Sequence, residues 1–193
     1  MVNLERVCES RMPPSFDNRF CIVSDFLPPQ MFASLQEEIL RLAERDRTCV
    51  PTHKKGATIS YDALRKNAPK TVSLYHSVQH QKVISEIVGA HLEPTPARDN
   101  SSLSVLIYDR PGDHIGWHYD HNFYQGTHFT VLIGIENTNR DGTALSGARL
   151  LVKEAGEGIE IPTPTNTLVL FEGAKILHKI TPIDEGERRV MLV

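Results

Sequence analysis

The second half of the chain is a succession of short apolar segments, and no other feature limits the possible folds as strongly. β-Branched residues are frequent within these segments, and glycine, proline, asparagine or aspartate lies between them. From Leu103 onward the segments are LSVLIYD, FTVLIGIEN, ARLLVKE, GIEIP, TLVLFE, KILHKITP and RRVMLV. Short strands that follow one another without intervening helices indicate a β-sandwich or barrel rather than a parallel sheet with crossover helices.

The first half of the chain predicts helices that support this β-structure. Apolar side chains recur at helical spacing in residues 31–46, after two prolines that suit a helix start, and again in residues 76–92. Residues 47–70 are polar and mixed in pattern, and they predict a long loop or flap with one weak helical turn. The expected fold is mainly β with flanking helices (α+β): a jelly roll with two N-terminal helices packed outside.

The length of 193 residues predicts a single domain. Residues 1–20 carry no clear period and predict an N-terminal extension. Residues 21–193 then form the domain, with helical support from 21–100 and the jelly-roll core from 101–193. The last segment is still apolar at Val193, so we expect the natural protein to continue past it.

Composition excludes several classes of protein. The chain has 21 lysines and arginines against 24 aspartates and glutamates, a net charge of −3, which argues against a nucleic-acid partner. Three cysteines, an odd number, do not form a disulfide framework. We see neither a signal peptide nor an apolar run long enough to span a membrane. The expectation is a cytoplasmic protein with no membrane partner.

The segment YDRPGDHIGWHYDH, residues 108–121, concentrates side chains that bind metals. Alternate residues of a strand share a face, so His118 and Asp120 are expected to point the same way. His178, a lone histidine in a late strand, is the best candidate for a third ligand. Two histidines and one carboxylate form the set that binds Fe(II) in non-haem oxygenases and leaves coordination positions open. His114 also shares a face with His118, so a zinc site with several histidines is an alternative.

The order of these parts resembles the Fe(II)/2-oxoglutarate-dependent dioxygenases, and most closely their prolyl-4-hydroxylase-like branch. An aromatic-rich strand and a His-x-Asp pair are followed by GARLLV, IEIPTPTNTLVLF, LHKITP and then ERR. The resemblance covers residues 103–193. It implies a double-stranded β-helix, the cupin-like jelly roll, with Fe(II) held by His118, Asp120 and His178 and with 2-oxoglutarate and O2 as co-substrates.

The resemblance also implies residues that bind 2-oxoglutarate. Its distal carboxylate would be gripped by an arginine guanidinium, which can form two parallel hydrogen bonds. Arg188 follows His178 by ten residues, and this spacing favours Arg188 over the neighbouring Arg189. Only one of these arginines can point inward, because strand side chains alternate. Tyr108 is expected to donate its hydroxyl to the same carboxylate, and Thr130 is a further hydroxyl candidate.

The implied activity is oxidation of an unactivated C–H bond, coupled to conversion of 2-oxoglutarate into succinate and CO2. Hydroxylation is the default outcome. Asp120 stands where related halogenases carry a small residue and bind chloride, so halogenation is disfavoured. No catalytic residue beyond the metal ligands is predicted.

The expected substrate is a small amino-acid-like or natural-product molecule. One alternative is a hydroxylase acting on a prolyl or other side chain of a protein. Another is a cupin-like metal sensor without enzymatic activity, since a fold does not fix a function. Substrate contacts are expected from the aromatic and hydrogen-bonding side chains around the metal motif, namely Trp117, His121, Asn122 and Tyr124.

Overall fold

The computed structural model describes residues 20–45, 48–49, 54–96, 98–100, 102–154 and 157–193. The predicted N-terminal extension therefore lies outside the described residues, apart from its last residue. The strands are β1 (Phe20–Val23), β2 (Thr48–Cys49), β3 (Lys54–Lys55), β4 (Ala57–Ile59), β5 (Val105–Tyr108), β6 (His114–His118), β7 (Thr130–Thr138), β8 (Leu150–Glu154), β9 (Glu157–Ile161), β10 (Leu168–Phe171), β11 (Leu177–Ile180) and β12 (Arg188–Leu192). The helices are α1 (Pro29–Ala43), α2 (Tyr61–Asn67), α3 (Pro69–Tyr75) and α4 (Val78–Val88).

The strands form two antiparallel sheets, which confirms the predicted jelly roll. The major sheet has the order β1-β10-β7-β12-β5-β4-β2, and the minor sheet has the order β3-β6-β11-β8-β9. Many neighbouring strands are distant in sequence, as when β10 pairs with both β1 and β7. Such crossing between strands brings residues from across the chain to one site.

The major sheet carries apolar side chains on both faces, because it separates two hydrophobic clusters. One face packs against the helices through Val105, Ile107, Ile133, Leu168, Val190 and Leu192. The other face packs against the minor sheet through Tyr108, Leu132, Phe171 and Met191, which meet Leu150, Val152 and Ile180. Alternation along β5 and β12 thus assigns each side chain either to the helices or to the interior between the sheets.

The described residues form four helices where the sequence predicted two, because α2 and α3 lie in or beside the expected flap. Each has seven residues, too few for a helical period to be visible in the sequence. Tertiary contacts stabilise them instead. Tyr61 and Leu64 of α2 are buried, and Glu38 of α1 accepts hydrogen bonds from the backbone N–H groups of Lys70 and Thr71 at the start of α3. Among the described helices, none is long and apolar enough to cross a membrane.

Candidate metal centre and its cavity

A β-bulge in β6 directs His118 into the space between the sheets. In the pairing of β6 with β11, His178 lies opposite His118 and Ile180 lies opposite Ile115, so three steps along β6 match two steps along β11. The extra residue lets Ile115 and His118 both face the interior. Simple alternation would have sent one of these two side chains to the opposite face.

His118, Asp120 and His178 form one cluster, as the sequence predicted. Their candidate ligand atoms all lie within 4.8 Å of one another. Asp120 Oδ1 lies 3.5 Å from His118 Nε2 and 3.6 Å from His178 Nε2. The backbone N–H of Asp120 donates to the carbonyl of Gly173, which fixes the segment that follows β6.

Both histidines of the cluster have their second nitrogen occupied by the backbone. His118 Nδ1 lies 2.8 Å from the carbonyl oxygen of Gly116, and His178 Nδ1 lies 2.8 Å from that of Ile176. A carbonyl can only accept, so each Nδ1 carries the proton and donates it. Each Nε2 is then left with a lone pair that faces the cluster, the arrangement that a metal-binding histidine requires.

The electrostatics of the cluster suit a divalent cation. Burial alone would raise the pKa of Asp120, but the adjacent His118 imidazole and the hydrogen bond from the Thr130 hydroxyl lower it to about 2, so the carboxylate is ionised. Burial lowers the pKa of His178, which favours the neutral imidazole. The adjacent Asp120 carboxylate raises the pKa of His118. One anionic oxygen and two imidazole nitrogens are ligands that Fe(II) accepts.

The structure corrects the choice between the two adjacent arginines. Arg188 shares a face with Val190, on the helix side of the major sheet, where its Nε lies 3.5 Å from Glu136 Oε2. Arg189 points to the interior, is 1 % exposed and lines the same cavity as the cluster. Strand alternation therefore operates as expected, but the inward-facing arginine is Arg189 and not Arg188, which the spacing from His178 favoured.

Arg189 lies beside Tyr108, its partner in the register of β12 and β5. The guanidinium carbon is 5.4 Å from the centroid of the Tyr108 ring, and Nη2 donates to Thr163 Oγ1 at 3.4 Å. Within the described part of the chain, neither Arg189 Nε nor the Tyr108 hydroxyl has a hydrogen-bond partner, although both atoms are sealed from solvent. Burial lowers the pKa of Arg189 to about 10 and raises that of Tyr108, so one is a cation and the other a neutral donor at neutral pH.

Thr130 contacts a side chain of the candidate ligand cluster directly. The sequence offered its hydroxyl as a ligand for 2-oxoglutarate, but in the structure Thr130 Oγ1 donates to Asp120 Oδ2 at 2.5 Å. His114 is also displaced from its expected role. The bulge leaves it outside the cluster, and its Nδ1 donates to the Gly112 carbonyl at 2.8 Å. The alternative of a zinc site that includes His114 is therefore wrong.

A cavity of about 510 Å³ extends from the cluster towards α3 and α4. Of the four expected substrate contacts, His121 and Tyr124 line it. Trp117 lies on the outer face of the minor sheet, with Lys179 Nζ 4.8 Å from its ring centroid. Asn122 accepts from the backbone N–H of Tyr124 and shapes the loop instead. Neither Trp117 nor Asn122 lines the cavity, because Trp117 precedes the inward-facing His118 and so points outward, and because the turn engages the Asn122 side chain.

Residues 119–129, here called the site loop, pass along one side of the cavity. The Tyr124 hydroxyl of this loop donates to the carboxylate of Asp99, on the segment that precedes β5. The hydrogen bond with Asp99 raises the pKa of Tyr124 to about 12, so the hydroxyl remains a donor at neutral pH. The site loop is thus tied to a second segment that lines the cavity.

Fold and site together define a jelly roll whose two-histidine, one-carboxylate centre opens into an internal cavity. The family model described as Halogenase D matches residues 9–146. This match covers more than half of the 193 residues, and the chain belongs to that family. No curated protein matches the sequence.

Solved structures with the same fold include several oxygenases. A Pseudomonas putida prolyl-4-hydroxylase has a TM-score of 0.69 and 16% identity, covering 92% of this chain and 91% of its own. A Trichoplax adhaerens prolyl hydroxylase in complex with a hypoxia inducible factor peptide has a TM-score of 0.69 and 18% identity, with coverages of 91% and 83%. The epimerase SnoN, in complex with Fe3+, alpha ketoglutarate and nogalamycin RO, has a TM-score of 0.66 and 12% identity, with coverages of 98% and 81%. These likenesses confirm the fold and the predicted resemblance.

Proposed function

We propose that the protein is a non-haem Fe(II)- and 2-oxoglutarate-dependent oxygenase that hydroxylates or otherwise oxidises an unactivated C–H bond of a small molecule. The observation that carries this proposal is the meeting of two features in one cavity. The cavity is lined by the His118, Asp120 and His178 cluster and also by Arg189, a buried cation without a carboxylate partner among the described residues. The cluster has the ligand types of a metal site, and the Arg189 guanidinium suits the carboxylate of an acid.

The cluster fits Fe(II) through its donor set. Both Nε2 atoms and one carboxylate oxygen converge, and the two Nδ1–H groups already donate to backbone carbonyls. When Fe(II) and 2-oxoglutarate are bound, they couple reduction of O2 to decarboxylation of the keto acid and oxidation of a C–H bond. The role of the chain is to hold these groups and to keep the cavity away from bulk water.

Arg189 and Tyr108 fit the distal carboxylate of 2-oxoglutarate. A buried guanidinium without a counter-charge is costly, and a carboxylate ligand relieves this cost while accepting two hydrogen bonds. The Tyr108 hydroxyl supplies a further neutral donor beside it. We therefore assign Arg189, rather than Arg188, to the co-substrate.

Halogenation is the second candidate, because the matching family model is described as Halogenase D. A halide would need a coordination position on the iron. In this chain Asp120 supplies a carboxylate ligand at that point, held by Thr130 and by the Gly173 backbone. This occupied position supports hydroxylation, and chlorine in the product formed with chloride present would support halogenation instead.

The cavity supports a small molecule as the substrate. A volume of about 510 Å³ is in the range of small-ligand sites, which is roughly 300–1,000 Å³. The tie between Tyr124 and Asp99 holds the site loop along the cavity, whereas a polypeptide substrate needs an open groove. The hypoxia inducible factor peptide bound by the Trichoplax adhaerens enzyme keeps a protein side chain as the alternative.

Anaerobic titration with Fe(II) and then 2-oxoglutarate tests the proposal. We expect the weak visible charge-transfer band of an iron-chelated keto acid in the wild type and no band in His178→Ala. His91→Ala, at an exposed histidine outside the cavity, is the matched control and keeps the band. Iron binding without the band would contradict the co-substrate assignment and favour the metal-sensor alternative.

A further inference from the structure

The carboxylate of Asp120 is held by two residues that lie outside the ligand set. Thr130 is the first residue of β7, and Gly173 follows β10, the neighbour of β7 in the major sheet. Thr130 Oγ1 donates to Asp120 Oδ2 at 2.5 Å, and the Gly173 carbonyl accepts from the Asp120 backbone N–H at 3.0 Å. Two strands of the major sheet thus fix a residue that follows a strand of the minor sheet.

Gly173 has no room for a side chain. A Cβ atom built there would meet Asp120 Oδ2 and Thr130 Oγ1 well inside van der Waals contact. The φ angle of Gly173 is not in the left-handed region, so backbone conformation does not require glycine here. The space beside Gly173 is therefore filled by the Asp120 carboxylate and the hydroxyl that binds it.

The two carboxylate oxygens have different surroundings. Oδ2 accepts from Thr130, whereas Oδ1 is the oxygen near both imidazoles, 3.5 and 3.6 Å from their Nε2 atoms. A hydrogen bond that occupies one oxygen leaves the other to bind a metal alone. A carboxylate that binds through one oxygen uses one coordination position, so two histidines and this oxygen leave three positions open for a co-substrate and O2.

We infer that Thr130 and Gly173 are positioning residues that present Asp120 to the metal through Oδ1 only. This inference rests on the proposed function for the identity of the metal. Substitution of residues that orient metal ligands generally lowers metal affinity about 10- to 100-fold. We expect a loss of this size when Thr130 or Gly173 is changed.

Binding of Co(II) to the full chain, followed by visible absorption and by calorimetry, tests the inference without 2-oxoglutarate or O2. We expect Thr130→Val and Gly173→Ala to weaken Co(II) binding about tenfold or more. Thr130→Ser keeps the hydroxyl and is expected to restore affinity to within about threefold of the wild type. Gly158→Ala, at a glycine with open surroundings on β9, is the control and leaves affinity unchanged.

A second set of variants separates positioning from a general effect on folding. If Thr130 and Gly173 act through the Asp120 carboxylate, their substitutions have no further effect on Co(II) affinity once Asp120→Ala has removed it. The melting temperature of each variant is measured alongside.

Equal losses of affinity in the presence and absence of the Asp120 carboxylate would overturn the inference, as would failure of Thr130→Ser to rescue binding. Failure of the keto-acid band with normal Co(II) behaviour would instead contradict the proposed function alone.

Discussion

At the scale of single residues, Arg188 and Arg189 show how one step along a strand changes the chemistry of a side chain. Arg188 is 30 % exposed and lies within ion-pair distance of Glu136. Arg189 is 1 % exposed, with no carboxylate near it among the described residues. The first charge is compensated within the protein, whereas the second is available to a ligand.

We predict that Arg189→Met weakens 2-oxoglutarate binding to the anaerobic Fe(II) protein about 10- to 100-fold, since a charge-assisted hydrogen bond contributes about 1.5–3 kcal/mol. Arg189→Lys keeps the charge but not the two-pronged geometry, so its affinity should lie between those of Met and Arg. Arg188→Met is the matched control and should bind as the wild type does. Titration of the charge-transfer band measures the affinity for 2-oxoglutarate in each variant. An equal loss of this affinity in both methionine variants would contradict the assignment of Arg189.

At the scale of elements, the sequence predicted the part of the site that depends on residue type and chain order. The three predicted ligands lie in one cluster in the structure. The sequence suggested this because His118 and Asp120 lie close together and His178 is the single late histidine. The features that were not predicted depend on register. The bulge in β6 places His114 on the opposite face from His118, and no apolar pattern marks it, since Ile115, Gly116 and Trp117 are all nonpolar.

The face of β12 could not be predicted for a related reason. The residues after the two arginines are all apolar, and both faces of the major sheet are buried, one by helices and one by the minor sheet. A strand that is apolar on both faces has no polar alternation to reveal which side points inward. The pairing of Arg189 with Tyr108, visible only in the structure, settles the direction.

The site loop allows a prediction about an element as a whole. Tyr124→Phe removes the hydrogen bond to Asp99 and keeps the ring, so the loop should open more often. We expect chymotrypsin to cleave the loop about three to ten times faster than in the wild type, because proteolysis follows the population of the open form. Tyr119→Phe, the same change at an exposed position of this loop, is the control. Equal cleavage of the two variants would mean that the bond does not hold the loop.

At the scale of the whole molecule, the cavity beside the cluster and the hydrophobic core share the same walls. The cavity is lined by Leu106 and Met191 of the major sheet and by Ile84 of α4, residues that also belong to the two apolar clusters or pack against them. His80 of α4 lines it as well, with its ring centroid 5.7 Å from that of Phe26. His80 Nε2 is sealed from solvent and has no hydrogen-bond partner among the residues that the structure describes.

This placement of His80 makes the stability of the molecule depend on pH. Burial lowers the pKa of His80 from 6.5 to about 4. Between these two pKa values, His80 is mostly protonated in the unfolded chain and mostly neutral in the folded chain. The free energy of unfolding therefore falls as the pH falls. The full stability is present above pH 6.5, and the loss is complete below about pH 4, where it reaches roughly 3 kcal/mol at 1.36 kcal/mol per unit.

His80→Gln removes this titration and keeps a polar side chain of similar length, so we predict that it loses less stability than the wild type between pH 7 and pH 4.5. The difference between the two losses should be about 2–3 kcal/mol, measured by urea unfolding of the metal-free protein at both pH values. Every other titrating group is shared, so the comparison isolates His80. His91→Gln, at an exposed histidine, should follow the wild type. A parallel fall in wild type and His80→Gln would show that the imidazole is protonated without cost in the folded chain, and the acid sensitivity would then belong to other groups.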